Sequence, residues 1–231
     1  MTRLPFVRAR RPEQKQQRRD TILLAARDLA RESGVRNVTL GAVADAAGLA
    51  KSNISRYFGT REEIYLELLA EEWQDWAQTA SERLDGAHGT AAIAALAETI
   101  VGRRLFCDLL SHGSTSLEQN VSVAAARSFK HAVHDLVAAT GAEVAHATDL
   151  TEQEGRELVA LATGLAGTLY PAANPPPALT QLYAEDPELA AARPDVLPTL
   201  VRALSALAVG LPTLRDDSHA RPEVPRDPSP H

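Results

Sequence analysis

The sequence predicts an all-α fold, and three observations predict it. Alanine and leucine dominate a 231-residue chain in which aromatics are only 4%, a composition suited to helix packed on helix rather than to pleated sheets. Apolar residues recur at helical spacing through most of the length. The runs are bounded by Gly, Pro or Ser/Thr capping residues. Hydrophobic residues make up 45%, enough for the core of one large domain or two small ones. No apolar run approaches the roughly 18 residues of a membrane span. Met1 to Pro12 is basic but has no apolar h-region, so it does not read as a signal peptide. The one cysteine, Cys107, excludes an intramolecular disulfide and a cysteine-based zinc cluster. A cytoplasmic protein is the resulting expectation.

Charge divides the chain. Residues 1–58 hold twelve Lys/Arg and five Asp/Glu, a net of +7, and residues 59–231 hold twelve and twenty-five, a net of −13. A basic head on an acidic body is the asymmetry of a nucleic-acid-binding unit joined to something else.

The elements follow in order. Residues 1–17, with Arg3, Arg8, Arg10 and Arg11, are expected to form a flexible basic arm; Pro12 marks where helix begins. The first helix runs to about Ser33, with Ile22, Leu23, Ala26, Leu29 and Ala30 as its core stripe, and Gly34 ends it. Thr39 caps a second helix, Leu40 to Ala47. Gly48 supplies a tight turn, and a third helix follows from Lys51 to Tyr57 with Ile54 and Phe58 inward. Two short helices about a glycine turn are a helix-turn-helix. Such a unit lays the N-terminal residues of its second helix in the DNA major groove. Here those residues are Lys51, Ser52, Asn53 and Arg56.

At these residues the chain resembles a known family. Thr39, the Ala-Asp-Ala-Ala-Gly-Leu turn from Ala44 to Leu49, Ile54, Tyr57-Phe58-Gly59 and Thr60-Arg61-Glu62-Glu63 are similar to the N-terminal domain of TetR-type bacterial repressors. The resemblance covers roughly Arg18 to Leu69. It departs at Ala50, where the family usually has serine, and at Ser55, where it usually has tyrosine. It implies a three-helix DNA-binding domain with a helix-turn-helix (residues 18–64) and a C-terminal helical ligand-binding and dimerisation domain (65–211). It further implies phosphate contacts from Thr39, Tyr57 and Arg61.

Thr60 with Glu63 reads as a capping box opening a long fourth helix, whose Ile64, Tyr65, Leu68, Leu69, Trp73 and Trp76 face inward to about Leu84. Thr90 opens a helix expected to reach Leu110, and Ser111 to Asn120 reads as a polar loop. Ser122 to Ala147 is a further helix. Thr151 with Glu154 is a second capping box, on a helix rich in Ala and Gly that the Asn174-Pro175-Pro176-Pro177 run stops. A short helix near Leu179 to Ala184 precedes a terminal apolar helix from Asp195 to about Leu211. Small residues facing an apolar terminal helix suggest a partner surface, and by the resemblance these two helices build the dimer. Residues 212–231, rich in proline and charge, read as a disordered tail.

No catalytic constellation, cofactor motif or metal-ligand cluster stands out. His131 and His134 share a helix at i, i+3 without a third ligand at matching spacing. The expected partners are double-stranded operator DNA, a second copy of the chain and a small-molecule effector of unknown identity. Trp73, Trp76, Phe106, His112, Phe129, His134 and Tyr170 are the residues expected to border an effector pocket in the body. The sequence thus reads as a regulator, a repressor released from its operator by that effector. The rivals are a ligand-independent architectural DNA-binding protein and a helical enzyme or cofactor binder with a DNA-binding head.

Overall fold

The computed structural model describes residues 10–215, and every regular element among them is helical. In chain order these are α1 (Arg10–Ser33), α2 (Leu40–Ala46), α3 (Lys51–Ile54), α4 (Arg61–Leu84), α5 (Thr90–Val101), α6 (Arg104–His112), α7 (Val123–Ala147), α8 (Glu152–Ala173), α9 (Pro177–Glu185), α10 (Pro187–Ala191) and α11 (Val196–Gly210). Single turns of 3-10 helix follow α1 and α11, and a π turn, Gly113–Leu117, extends α6.

Three helices and the start of α4 make the head. Ile22, Ala26 and Ala30 of α1 meet Val43 and Ala44 of α2, Ile54 of α3 and Phe58, all buried. The helix is continuous from Arg10, so residues 10–17 are the first turns of α1 rather than part of a flexible arm. Met1 to Ala9 lie outside the described residues.

The body is organised around α4 and α8, and its centre is aromatic. Trp73, Trp76 and Phe106 pack with ring centroids 5.3 Å, 5.3 Å and 5.7 Å apart. The Trp76 indole N–H donates to Thr99 Oγ1 at 3.2 Å, so its buried polar atom is satisfied. Helices α7 and α8 approach until backbones touch: a Cβ on Gly155 would stand 2.1 Å from the Gly141 carbonyl oxygen. No other residue type fits there without moving a helix.

Several expectations change. The helix read from Thr90 to Leu110 is broken at Gly102 and Arg103. Gly102 caps α5, and the Arg103 guanidinium reaches back to Glu72 of α4 at 3.1 Å and to Asp75 at 3.5 Å. The box at Thr60 is half formed. Thr60 Oγ1 accepts from the Glu63 N–H, but the Glu63 carboxylate accepts from the N–H groups of Gly59 and Ser122, tying α4 to the start of α7. The box at Thr151 and Glu154 is complete. The segment near Leu179 is two helices, because the Asp186 carboxylate caps a new one by accepting from the N–H groups of Glu188 and Leu189. Chain order persists past residue 211, since Leu211–Leu214 is a 3-10 turn and Arg215 pairs with Glu154. The tail expectation for 216–231 lies outside the described residues. Finally, Val196–Leu214 is 19 residues long with a mean hydropathy of 1.5, long and apolar enough to cross a membrane, although the sequence reading found no such run. Only 11% of it is buried within the chain.

Candidate nucleic-acid interface

Thr39 ends an extended stretch and caps α2, its hydroxyl accepting from the Ala42 N–H at 3.1 Å. Gly48 takes φ 64, the left-handed conformation that lets the chain turn directly into α3. Leu49 N–H donates back to the Ala44 carbonyl at 2.9 Å, closing the turn. Ala50 occupies the N-cap of α3 without a side-chain bond, so the N-terminal N–H groups of α3 have no hydroxyl over them. Regular helix covers Lys51–Ile54 and continues as turn to Tyr57, shorter than the sequence pattern suggested.

Ile54 and Phe58 are buried in the core of the head and hold one side of α3 against it. Lys51, Ser52 and Arg56 are exposed, and Asn53 is half-buried. The structure therefore brings these four onto the outward side of one short segment, with Thr39 exposed at the start of α2. Tyr57 is half-buried, and its carbonyl accepts from the Arg19 guanidinium, which also pairs with Glu67 and lies 4.2 Å over the Phe58 ring.

Arg61 is placed differently from the other expected DNA contacts. Its Nε donates to the Val38 carbonyl at 2.6 Å and one Nη to the Val35 carbonyl, while the guanidinium stacks 4.8 Å from the Tyr65 ring. Two of its donors are spent on the turn ahead of α2, and its other Nη stands 3.3 Å from Glu62 Oε1. Sequence reading also passed over one cluster. Lys15 and Arg18, with Gln14, Gln17 and Thr21, line a groove of about 700 Å³ that Tyr57 closes. Gln14, Gln17, Arg18 and Thr21 recur at i, i+3, i+4 and i+7 with Lys15 beside Gln14, a one-faced spacing on a helix that the sequence already opens at Pro12.

The residues expected around an effector separate into groups. Trp73, Trp76, Phe106 and Phe129 are buried core. His134 is exposed on α7. His112 and Tyr170 lie together on a cleft between head and body. Burial pushes the His112 imidazole below the usual histidine value, against the pull of Asp108. Burial likewise drives the Cys107 thiol up to about 12, and its Sγ donates to the Ile100 carbonyl. That thiol is a packed small hydrophobe rather than a nucleophile.

Head and body meet through charged bonds. Arg27 of α1 pairs with Glu71 and Glu72 of α4, both at 2.6 Å, and Arg103 closes on Glu72 from the body side. The Val35 N–H donates to Asp108 of α6 at 2.8 Å. Thr60 Oγ1 donates to the Asn120 carbonyl at 2.8 Å.

Comparison with known proteins places this geometry. The profile described as "Bacterial regulatory proteins, tetR family" matches residues 22–68, and that described as "Tetracyclin repressor-like, C-terminal domain" matches residues 70–215. No curated protein matches by sequence. Among solved structures, the fatty acid degradation regulator FadR of Bacillus halodurans is 12% identical, covering 84% of this chain and 95% of its own, with a TM-score of 0.52. Thermus thermophilus FadR, a repressor solved with lauroyl-CoA, is 18% identical over 92% of this chain and 99% of its own, at 0.51. A TetR regulator from Rhodococcus sp. RHA1 is 16% identical over 85% and 97%, at 0.52. At these identities the likeness is one of fold. With the two profiles spanning head and body, the chain belongs to the TetR family and is a DNA-binding transcriptional regulator.

Proposed function

We propose that this regulator binds operator DNA as a homodimer and is released by a small-molecule effector. The observation that carries the proposal is the two-sidedness of α3: Ile54 and Phe58 fix it from behind, and Lys51, Ser52, Asn53 and Arg56 face outward with no core role. Asn53 can pair bidentately with adenine, and Lys51 can favour guanine or hold a phosphate. Thr39 and Tyr57, with Lys15 and Arg18 beside Tyr57, contribute backbone contacts that set register. The functional division falls within α4, at about residue 64, and the protein acts in the cytoplasm.

Dimerisation is supported by an apolar face that the described residues leave uncovered. Leu161 is 42% exposed on α8 and Val209 75% exposed on α11. Gly164, between them in character, has open space beyond its Cβ position. The bare length of α11 finds its partner in a second copy. Two heads so joined must present α3 about one DNA turn apart, ~34–36 Å, or a multiple of it. An effector that prefers another spacing draws the population off DNA.

The test is a titration of the duplex upstream of the protein's own gene against a scrambled duplex, at two salt concentrations. A regulator prefers its site by about 10³-fold or more. Asn53→Ala should lose most of that preference with the fold intact. Equal binding to both duplexes, falling steeply with salt, would assign the chain to architectural DNA binding instead.

A further inference from the structure

The cleft between head and body, about 1080 Å³, plays no part in the DNA reading. Its head wall carries Arg31, in the last turn of α1, and Arg36, in the 3-10 turn that follows. Its body wall carries Arg103 and Arg104, at the start of α6, and Tyr170, near the end of α8. Pro175, Pro176 and Pro177, together with Leu105, make the apolar part of the lining.

The charges of this lining do not balance locally. Glu72 is already held by Arg27 and Arg103. Asp108 accepts from the Val35 N–H and stands 3.6 Å from His112 Nε2. Glu32 is exposed at the rim. Arg31, Arg36 and Arg104 have no carboxylate within 4.0 Å among the described residues. Arg104 and Tyr170 share the body wall of the cleft. Arg103 Nε is buried without an acceptor. Guanidinium groups arriving from both walls, beside an aromatic and a proline surface, suit a planar anionic group attached to an apolar one.

We propose that this cleft is the effector site and that it takes an organic anion. Its carboxylate or phosphate sits among Arg31, Arg36 and Arg104, and its apolar part lies against Leu105, Tyr170 and the prolines. The inference rests on the regulator reading above and adds the site and the ligand class. Because the walls belong to head and body, a ligand there contacts both at once. It acts beside the Val35–Asp108 hydrogen bond, where it biases the position of the head. By linkage, ligand and operator then weaken each other by the same factor.

The experiment uses the purified full chain and the fluorescent anion anilinonaphthalene sulfonate as probe. Competition by benzoate and by pyrophosphate separates a carboxylate site from a phosphate site. One saturable site per chain, displaced by one of the two competitors, is expected. The double variant Arg36→Ala/Arg104→Ala should raise the probe Kd about tenfold or more. Arg83→Ala, a surface arginine paired with Glu98, should leave it unchanged. Melting curves establish that both variants fold. No saturable binding, or an unchanged Kd in the double variant, overturns the proposal. So does a double variant that loses duplex affinity while keeping the probe, since its arginines would then serve DNA. Failure of wild type to bind any duplex would sink the regulator reading while leaving the probe result standing.

Discussion

Helix α3 and the α7–α8 pair lie at opposite extremes of how a helix is held. The first has four regular residues, no capping side chain and one buried residue, Ile54. A helix that short has no stability of its own. Its shape is imposed by Phe58 behind it, by the Gly48 turn and, through the turn ahead of α2, by the Arg61 clamp. The α7–α8 pair has 25 and 22 residues, and its backbones touch at Gly141 and Gly155. The difference teaches where variation is tolerated. A surface formed by scaffolding from behind leaves its outward side chains free for recognition, and a surface formed by backbone contact leaves none free. Substitutions in the two regions should therefore move different readouts.

The largest effect belongs to the body. Trp76→Ala empties the centre of the aromatic cluster and removes the indole bond to Thr99, at a loss of about 4 kcal/mol. In a melting curve that is a fall of roughly 10 °C. A stable Trp76→Ala protein would mean that the cluster is loosely packed. Next comes Gly155→Ala, one methyl group placed against a backbone oxygen that cannot yield without a helix shift. About 3 kcal/mol is expected, read the same way, and a neutral result would break the picture of touching backbones.

Arg61 and Arg56 sharpen the comparison within the head. Arg61→Ala leaves the Val35 and Val38 carbonyls without their donor and should lower stability by about 2 kcal/mol. Arg61→Lys should recover only part, because an ammonium cannot fork to both. Arg56→Ala should leave the melting curve alone and weaken duplex binding about tenfold. Reversal of these two readouts would place Arg61 on the DNA surface.

The smallest effect is one of pH. Arg215 and the Thr151 N–H hold the Glu154 carboxyl down to about 2. A carboxyl depressed in the folded chain stabilises above its unfolded value and loses that contribution as pH falls toward the folded one. Acidification from about pH 5 to 2 should weaken the Arg215 pair with the Glu154 carboxylate. Glu154→Gln should flatten the stability profile across that window. An unaltered profile would remove the pair from the account.

Local pattern was sufficient wherever a residue's role depends on its own stretch of chain. The helices from α1 to α4, the glycine at Gly48, the cap at Thr39 and the box at Thr151 are all of this kind. Pattern failed where a side chain answers to a residue far along the sequence. Arg61 read as a phosphate contact by resemblance, and the Val35 and Val38 carbonyls draw two of its donors inward. Glu63 looked like a capping partner of Thr60, and Ser122 drew it away. Trp73, Trp76 and Phe106 looked able to line a pocket, and they filled one another's space instead.

The sequence by itself determined the helical class, the position of the reading helix, the polarity of charge between head and body and the apolar character of the last helix. Each rests on periodicity, composition or a turn that only glycine adopts, and these act over a few residues. The tertiary structure decided which arginines face outward, where α5 ends and α6 begins, and that His112 and Tyr170 share a cleft with four arginines from head and body. Those outcomes depend on which charges and carbonyls meet once distant helices pack, and spacing along the chain does not encode that.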